Sequence, residues 1–238
     1  MTLNANSTTA KPAGKLYVVA TPIGNAGDIT TRAIETLAHA DVILCEEHRN
    51  GSRLLRSLGI AKPLLELNEH NEAERIQDVL LMLAQGQSLA LISDCGTPVF
   101  SDPGKKLLQL LYEMNIAVTP LPGASSLMAA LSVCPFDLEE FLFIGFLPVK
   151  IDQRQKKLSQ LKYSNYPLVL MDTPYRMQRL LQEVQQSFGK KQNIFLACDL
   201  TMPEEHLYLG PVDEILTRIQ NRKAEFILIL DRPQKKPF

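Results

Sequence analysis

Hydrophobic and polar positions along this chain fall into two alternating periods. In the first half, "KLYVVA" (15–20), "DVILCE" (41–46), "PLLEL" (63–67), residues 88–93 and "AVTPLP" (117–122) are short apolar runs that read as strands. Between them, "ITTRAIETLAHA" (29–40) places Ile29, Ala33, Ile34 and Leu37 on one side of a helix. Residues 50–60, 71–86 and 104–114 predict further helices, and Gly59 and Gly86 act as stops. Strands that are apolar throughout and alternate with helices belong to a parallel sheet covered on both faces.

The second half differs. Strands are predicted at 141–148, 167–174, 193–201, 205–211 and 225–230, and helices follow "PGASS" and span 150–162, 175–189 and 212–221. No helix separates the strands at 193–201 and 205–211, which predicts antiparallel pairing there. The fold class is therefore α/β, with two α/β domains. The N-terminal domain (15–120) has a mainly parallel sheet and the C-terminal domain (121–238) a mixed one. Residues 1–14, "MTLNANSTTAKPAG", read as a polar flexible tail with no apolar core, so not as a signal peptide.

Composition narrows the picture only slightly. The chain has 238 residues, 45% apolar and 21% charged, with a formal net charge of −1. A uniformly basic nucleic-acid-binding surface is excluded, so any such contact needs a local patch. No apolar run approaches the roughly 20 residues that span a bilayer. Cys45, Cys95, Cys134 and Cys198 are scattered near apolar runs, which reads as buried, reduced thiols in a cytoplasmic protein. No cysteine or histidine spacing indicates a metal.

Open parallel sheets bind ligands beyond the carboxyl ends of their strands. The loops predicted there are "ATPIGNAGD", "CEEHR" and "DCGTPVFSDPG". The first is neither a dinucleotide fingerprint nor a Walker loop. The second groups Glu46, Glu47, His48 and Arg49; His48 is either a general base near neutral pH or a surface histidine. The third is stiffened by Pro98 and Pro103 and loosened by Gly96 and Gly104. Ser125 and Ser126 stand where a helix begins, the usual place of an N-cap. No G-x-S-x-G elbow supports a hydrolase.

In order, "LYVVATPIGNAGDITTRAIETL", "DVILCEEHR", "NEHNEAER", "LISDCGTPVFSDPG", "PLPGASSLMAALS", "FLFIGFLPVK" and "DLT" resemble the ribosomal RNA small subunit methyltransferase I family of the tetrapyrrole (corrin/porphyrin) methylase superfamily, over residues 15–230. The resemblance implies S-adenosylmethionine as cofactor, held in the cleft between two α/β domains. It also implies a homodimer and 2′-O-methylation of a cytidine ribose in 16S ribosomal RNA of the small ribosomal subunit. The cofactor positions it implies are Pro22, Gly24, Asp94, Gly96, Thr97, Pro98, Phe100, Ser125, Ser126, Met171, Asp172, Leu200 and Thr201. A base would help a ribose hydroxyl attack, and the candidates are Glu46, Glu47, His48 and Asp28. Arg49 and the basic helix residues Lys150, Arg154, Lys156 and Lys157, with Lys162 nearby, are expected to meet RNA phosphates, as is the C-terminal "RPQKKPF".

The chain departs from the family pattern at "EEHR" for "EDTR", Cys95 for alanine, "DTPYR" for "ESPHR", "DLTM" for "ELTK" and "KAE" for "KGE". These changes keep two alternatives open: a methyltransferase with a small-molecule acceptor, and a non-catalytic donor-binding homologue.

Overall fold

The computed structural model describes residues 14–231. The expected N-terminal tail up to residue 13 and the basic "RPQKKPF" lie outside the described residues. The chain divides into two compact units. The first takes the residues up to Pro22 together with Ala26–Ala124, and the second takes Ile23–Asn25 and the residues from Ser125 onward.

The first unit is built on β1 (Lys15–Val19), β2 (Val42–Cys45), β3 (Leu64–Glu66), β4 (Ser88–Ile92) and β5 (Val118–Leu121), in the order β3-β2-β4-β1-β5, all parallel. Period-two alternation sends Leu16, Leu44, Leu89 and Leu91 to one face. There they pack on α3 (Glu72–Ala84) and α4 (Lys105–Glu113) through Val79, Leu83, Leu107 and Leu111. Val19, Ile43, Ala90 and Ile92 face α1 (Thr31–His39) and α2 (His48–Ser57) through Ala33, Leu37 and Leu55. Both faces are covered, which is why these strands are mostly apolar.

Helix α1 begins where Thr30 Oγ1 accepts from the Ala33 amide at 3.1 Å. Helix α2 starts two residues earlier than its predicted span, because the Glu47 carbonyl takes the amides of Asn50 and Gly51. Gly51 is required inside it: a Cβ there would lie 2.9 Å from Cys45 Cβ, so only glycine lets α2 rest against β2.

The second unit holds β6 (Leu142–Phe146), β7 (Leu168–Asp172), β8 (Asn193–Cys198), β9 (His206–Pro211) and β10 (Phe226–Leu230), ordered β6-β7-β10-β8-β9. β6 and β7 are parallel; β10 runs antiparallel to β7 and β8, and β8 to β9. The sheet is mixed, with the antiparallel pair where the helix-free spacing predicted it. One face packs on α6 (Ile151–Leu161), α7 (Met177–Phe188) and α8 (Val212–Ile219). The other, with Val169, Phe195, Ile227 and Ile229, packs on α5 (Ser126–Val133). Among the described residues no helix is long and apolar enough to cross a membrane.

Candidate active site

β1 and β2 both neighbour β4, so the loops that follow these three strands emerge side by side at one edge of the first unit. Hydrogen bonds join them. The Thr21 amide donates to the Gly96 carbonyl at 2.8 Å, and its buried hydroxyl donates to the Ser93 carbonyl at 3.3 Å. Asp94 links the β4 loop to the β2 loop by accepting from the Glu47 amide at 3.3 Å and from Asn50 Nδ2 at 2.6 Å. The β4 loop is conformationally costly. Gly96 has φ +80° and Gly104 φ +119°, positions that favour glycine, but Val99 adopts φ +71° despite its branched side chain. The far end of the loop is pinned by buried Glu72, whose Oε1 accepts from the Gly104 amide at 3.1 Å. Within this frame Pro98 is buried, Phe100 is exposed, and Thr97 Oγ1 donates to the Ala124 carbonyl at 3.2 Å.

Carboxylates crowd beside these loops. A cavity of about 580 Å³ is lined by Glu46, Glu47, Glu69, Glu72 and Asp102, with Lys106 among them. Burial, reinforced by the charges of Asp102, Asp94, Glu47 and Glu69, pushes the Glu46 carboxyl up to about 7. Burial and then Asp94 push Asp102 upward as well. Such a cavity repels phosphate but accepts a cation, a neutral hydroxyl or a proton. Glu46 and Glu47 line it; Asp28 and His48 do not. Asp28 is exposed at the end of the 3-10 turn Ala26–Asp28. His48 and Arg49 are exposed on the first turn of α2, and the His48 amide donates to Glu66 Oε1 at 2.8 Å. Asp102, Asn50 and Glu72 were not among the expected site residues. Their signal was faint: a second acid in the Gly/Pro loop, and polar groups at the start of two helices.

Pro22 stays with the first unit, while Gly24 belongs to the second. There the Asn25 amide donates to Thr201 Oγ1 at 3.0 Å. A Cβ on Gly24 would lie 2.6 Å from Met202 Cγ, 2.8 Å from Thr201 Oγ1 and 3.0 Å from the Leu200 carbonyl. Glycine is thus required at this position by the chain's own packing. Thr201 itself has φ +68°, and its amide donates to Glu205 Oε2 at 2.7 Å. Ser125 caps α5, its Oγ accepting from the Met128 amide at 3.4 Å, and Ser126 is the first residue of that helix.

Met171 and Asp172 end β7. Asp172 is buried and already engaged: Oδ2 accepts from Arg154 Nη2 at 2.7 Å and Oδ1 from the Thr173 amide at 2.9 Å. This corrects the expectation for Arg154. It is 2% exposed, with Nε bonded to Glu183, so it cannot meet RNA phosphates. Positions 154, 158 and 161 form the inward stripe of α6, and Arg154 takes an apolar slot in it. Lys150, Lys156, Lys157 and Lys162 remain exposed. The cysteine expectation is also corrected in part. Cys45 and Cys198 are buried, and burial pushes each thiol up to about 12. Cys134, however, is half-buried, and Cys95 is exposed because it stands in the β4 loop.

Comparison with known proteins assigns this architecture. The family described as Tetrapyrrole (Corrin/Porphyrin) Methylases matches residues 15–216. The chain belongs to the tetrapyrrole methylases. Within them it belongs with the ribosomal RNA small subunit methyltransferase I proteins. It is 37% identical to the one from Synechocystis sp. over 228 residues, which cover 94% of this chain and 82% of that protein. It is 38% identical to the one from Thermotoga maritima over 210 residues, covering 88% and 94%. The crystal structure of uroporphyrin-III-C-methyltransferase from Thermus thermophilus shares the fold, with a TM-score of 0.62 at 21% identity, covering 92% of this chain and 94% of that one. Methyltransferases of this family use S-adenosylmethionine.

Proposed function

We propose that the chain is an S-adenosylmethionine-dependent methyltransferase that modifies the 2′-hydroxyl of a cytidine in 16S ribosomal RNA of the small subunit, acting as a cytoplasmic homodimer. The observation that carries the reading is the cavity beside three interlocked loops, with one carboxyl, Glu46, held near neutrality. When bound, the donor supplies a methyl group on a positively charged sulfur.

The residues present fit such a donor. Asp94 and the neighbouring acids provide the negative field a sulfonium and an ammonium need. The Gly96–Phe100 segment offers peptide groups and an exposed ring. Asp94, Gly96, Thr97, Pro98 and Phe100 with Pro22, all of the first unit, would hold it.

Glu46 takes the proton of the attacking hydroxyl, because a base poised near the working pH balances basicity against availability. Burial, and after it the charge of Asp102, keeps that carboxyl basic. Glu47 holds the loop by donating a hydrogen bond from its backbone N–H to Asp94 and by accepting one at its carboxylate from Asn50 Nδ2 at 3.1 Å. Lys150, Lys156 and Lys157 meet phosphates outside the acidic cavity.

The test is methyl transfer from labelled S-adenosylmethionine to small-subunit particles that lack the modification, with the product mapped to a ribose 2′-oxygen. Tight donor binding without transfer to these particles refutes the acceptor assignment. Absence of donor binding refutes the reading entirely.

A further inference from the structure

Tyr175 is a residue of the second unit that the reading above leaves unused. It sits in the 3-10 turn Pro174–Arg176 directly after β7, and the residue is 80% exposed. Lys223 stands in the turn before β10, with its ammonium 5.0 Å from the centre of that ring. The topology explains the meeting. β7 and β10 are antiparallel with Asp172 opposite Phe226, so three residues beyond one strand and three before the other come together past the same end of the sheet.

An exposed aromatic ring with a cation on one face is a poor way to stabilise a fold, since little apolar area leaves water. It is well suited to a planar, electron-rich partner that needs a phosphate contact beside it. β6 runs parallel to β7, so Lys150, which follows β6, lies at the same end of the sheet. Arg176, next to Tyr175, lies there too, with Nη1 3.7 Å from Asp172.

We propose that Tyr175, backed by Lys223, is a stacking platform for one unpaired base of the RNA acceptor. This rests on the RNA reading above and adds a binding residue to it. Unpaired bases are recognised by stacking on aromatic rings, and such stacking is tolerant of base identity. Lys223 is placed to hold both the ring and the adjoining phosphate.

The experiment uses the full chain and a fluorescently labelled, unstructured oligoribonucleotide, with anisotropy read over a salt series. Tyr175→Ala is expected to weaken binding about ten- to hundredfold, with an unchanged slope of log K against log salt, because no phosphate contact is lost. Tyr175→Phe is expected to bind within about twofold of wild type, because the ring is kept. Wild-type affinity in Tyr175→Ala overturns the platform and leaves the RNA reading standing. An equal loss in Tyr175→Phe also overturns it, since the hydroxyl rather than the ring would then be responsible. A wild-type chain that binds S-adenosylmethionine but no RNA overturns both.

Discussion

Replacing Arg154 by methionine tests the buried network at the end of β7. The guanidinium is 2% exposed and bonds two carboxylates, Asp172 and Glu183, whose side chains are 1% and 10% exposed. Methionine fills much of the volume but leaves two buried negative charges. Removing one partner of a buried ion pair costs about 3–5 kcal/mol. Two arginines soften the loss: Arg176 Nη1 lies 3.7 Å from Asp172, and Arg179 Nε donates to Glu183 Oε1 at 3.1 Å. The expected loss is therefore near the lower bound, about 3 kcal/mol, a large share of an ordinary stability of about 5–15 kcal/mol. The assay is urea unfolding followed by far-ultraviolet circular dichroism, since the chain has no tryptophan to report. The triple variant Arg154→Met/Asp172→Asn/Glu183→Gln removes the uncompensated charge and should recover half or more of the loss. A loss below about 1 kcal/mol, the range of an exposed pair, would refute the burial argument. A triple variant no more stable than the single one would refute the charge argument.

Three further outcomes follow from the same geometry. Glu46→Gln should cut methyl transfer by about a hundredfold or more and flatten a pH–rate profile that otherwise rises through about 7. The same variant has a stability signature. Because the folded value lies above the ordinary 4.5, wild type loses stability as pH rises from about 5 to 8; the full shift is equivalent to about 3 kcal/mol, and solvent in the cavity reduces it to roughly 1–2. Glu46→Gln should thus match wild type at pH 5 and exceed it at pH 8, and equal pH dependence in the two would contradict the raised value. Gly24→Val should destabilise by about 1–3 kcal/mol in the same denaturation assay, since its Cβ would overlap Thr201 and the Leu200 carbonyl; an unchanged midpoint would rule that packing out. Lys156→Gln/Lys157→Gln should lower the salt slope of RNA binding by about 0.7 per lysine, and an unchanged slope would remove those lysines from the interface.

Much of this molecule is legible from its pattern. Among the described residues, ten strands and eight helices follow from runs such as "LALI" and from the spacing of Ala33, Ile34 and Leu37, because buried faces favour apolar side chains at the period of each element. The Gly/Pro loops after β1 and β4 could be placed at strand ends for the same reason. Individual roles were not legible. Arg154 reads as one of a basic row, yet it lies inward, since the stripe of Leu158 and Leu161 decides which face of α6 is buried and two acids from β7 and α7 meet it there. Three acids and a histidine were equivalent by type, but only the fold buries Glu46 and, through strand order, sets Asp102 and Asp94 near it, which raises its affinity for a proton. Gly24 looked like an opening for a ligand, and Thr201 and Met202, nearly 180 residues away, show why it must be glycine. Periodicity is a property of neighbours along the chain, so the sequence alone determined the elements and their buried faces. Coulomb interaction and steric overlap depend on distance in space, and only the tertiary structure decided which charges and surfaces meet.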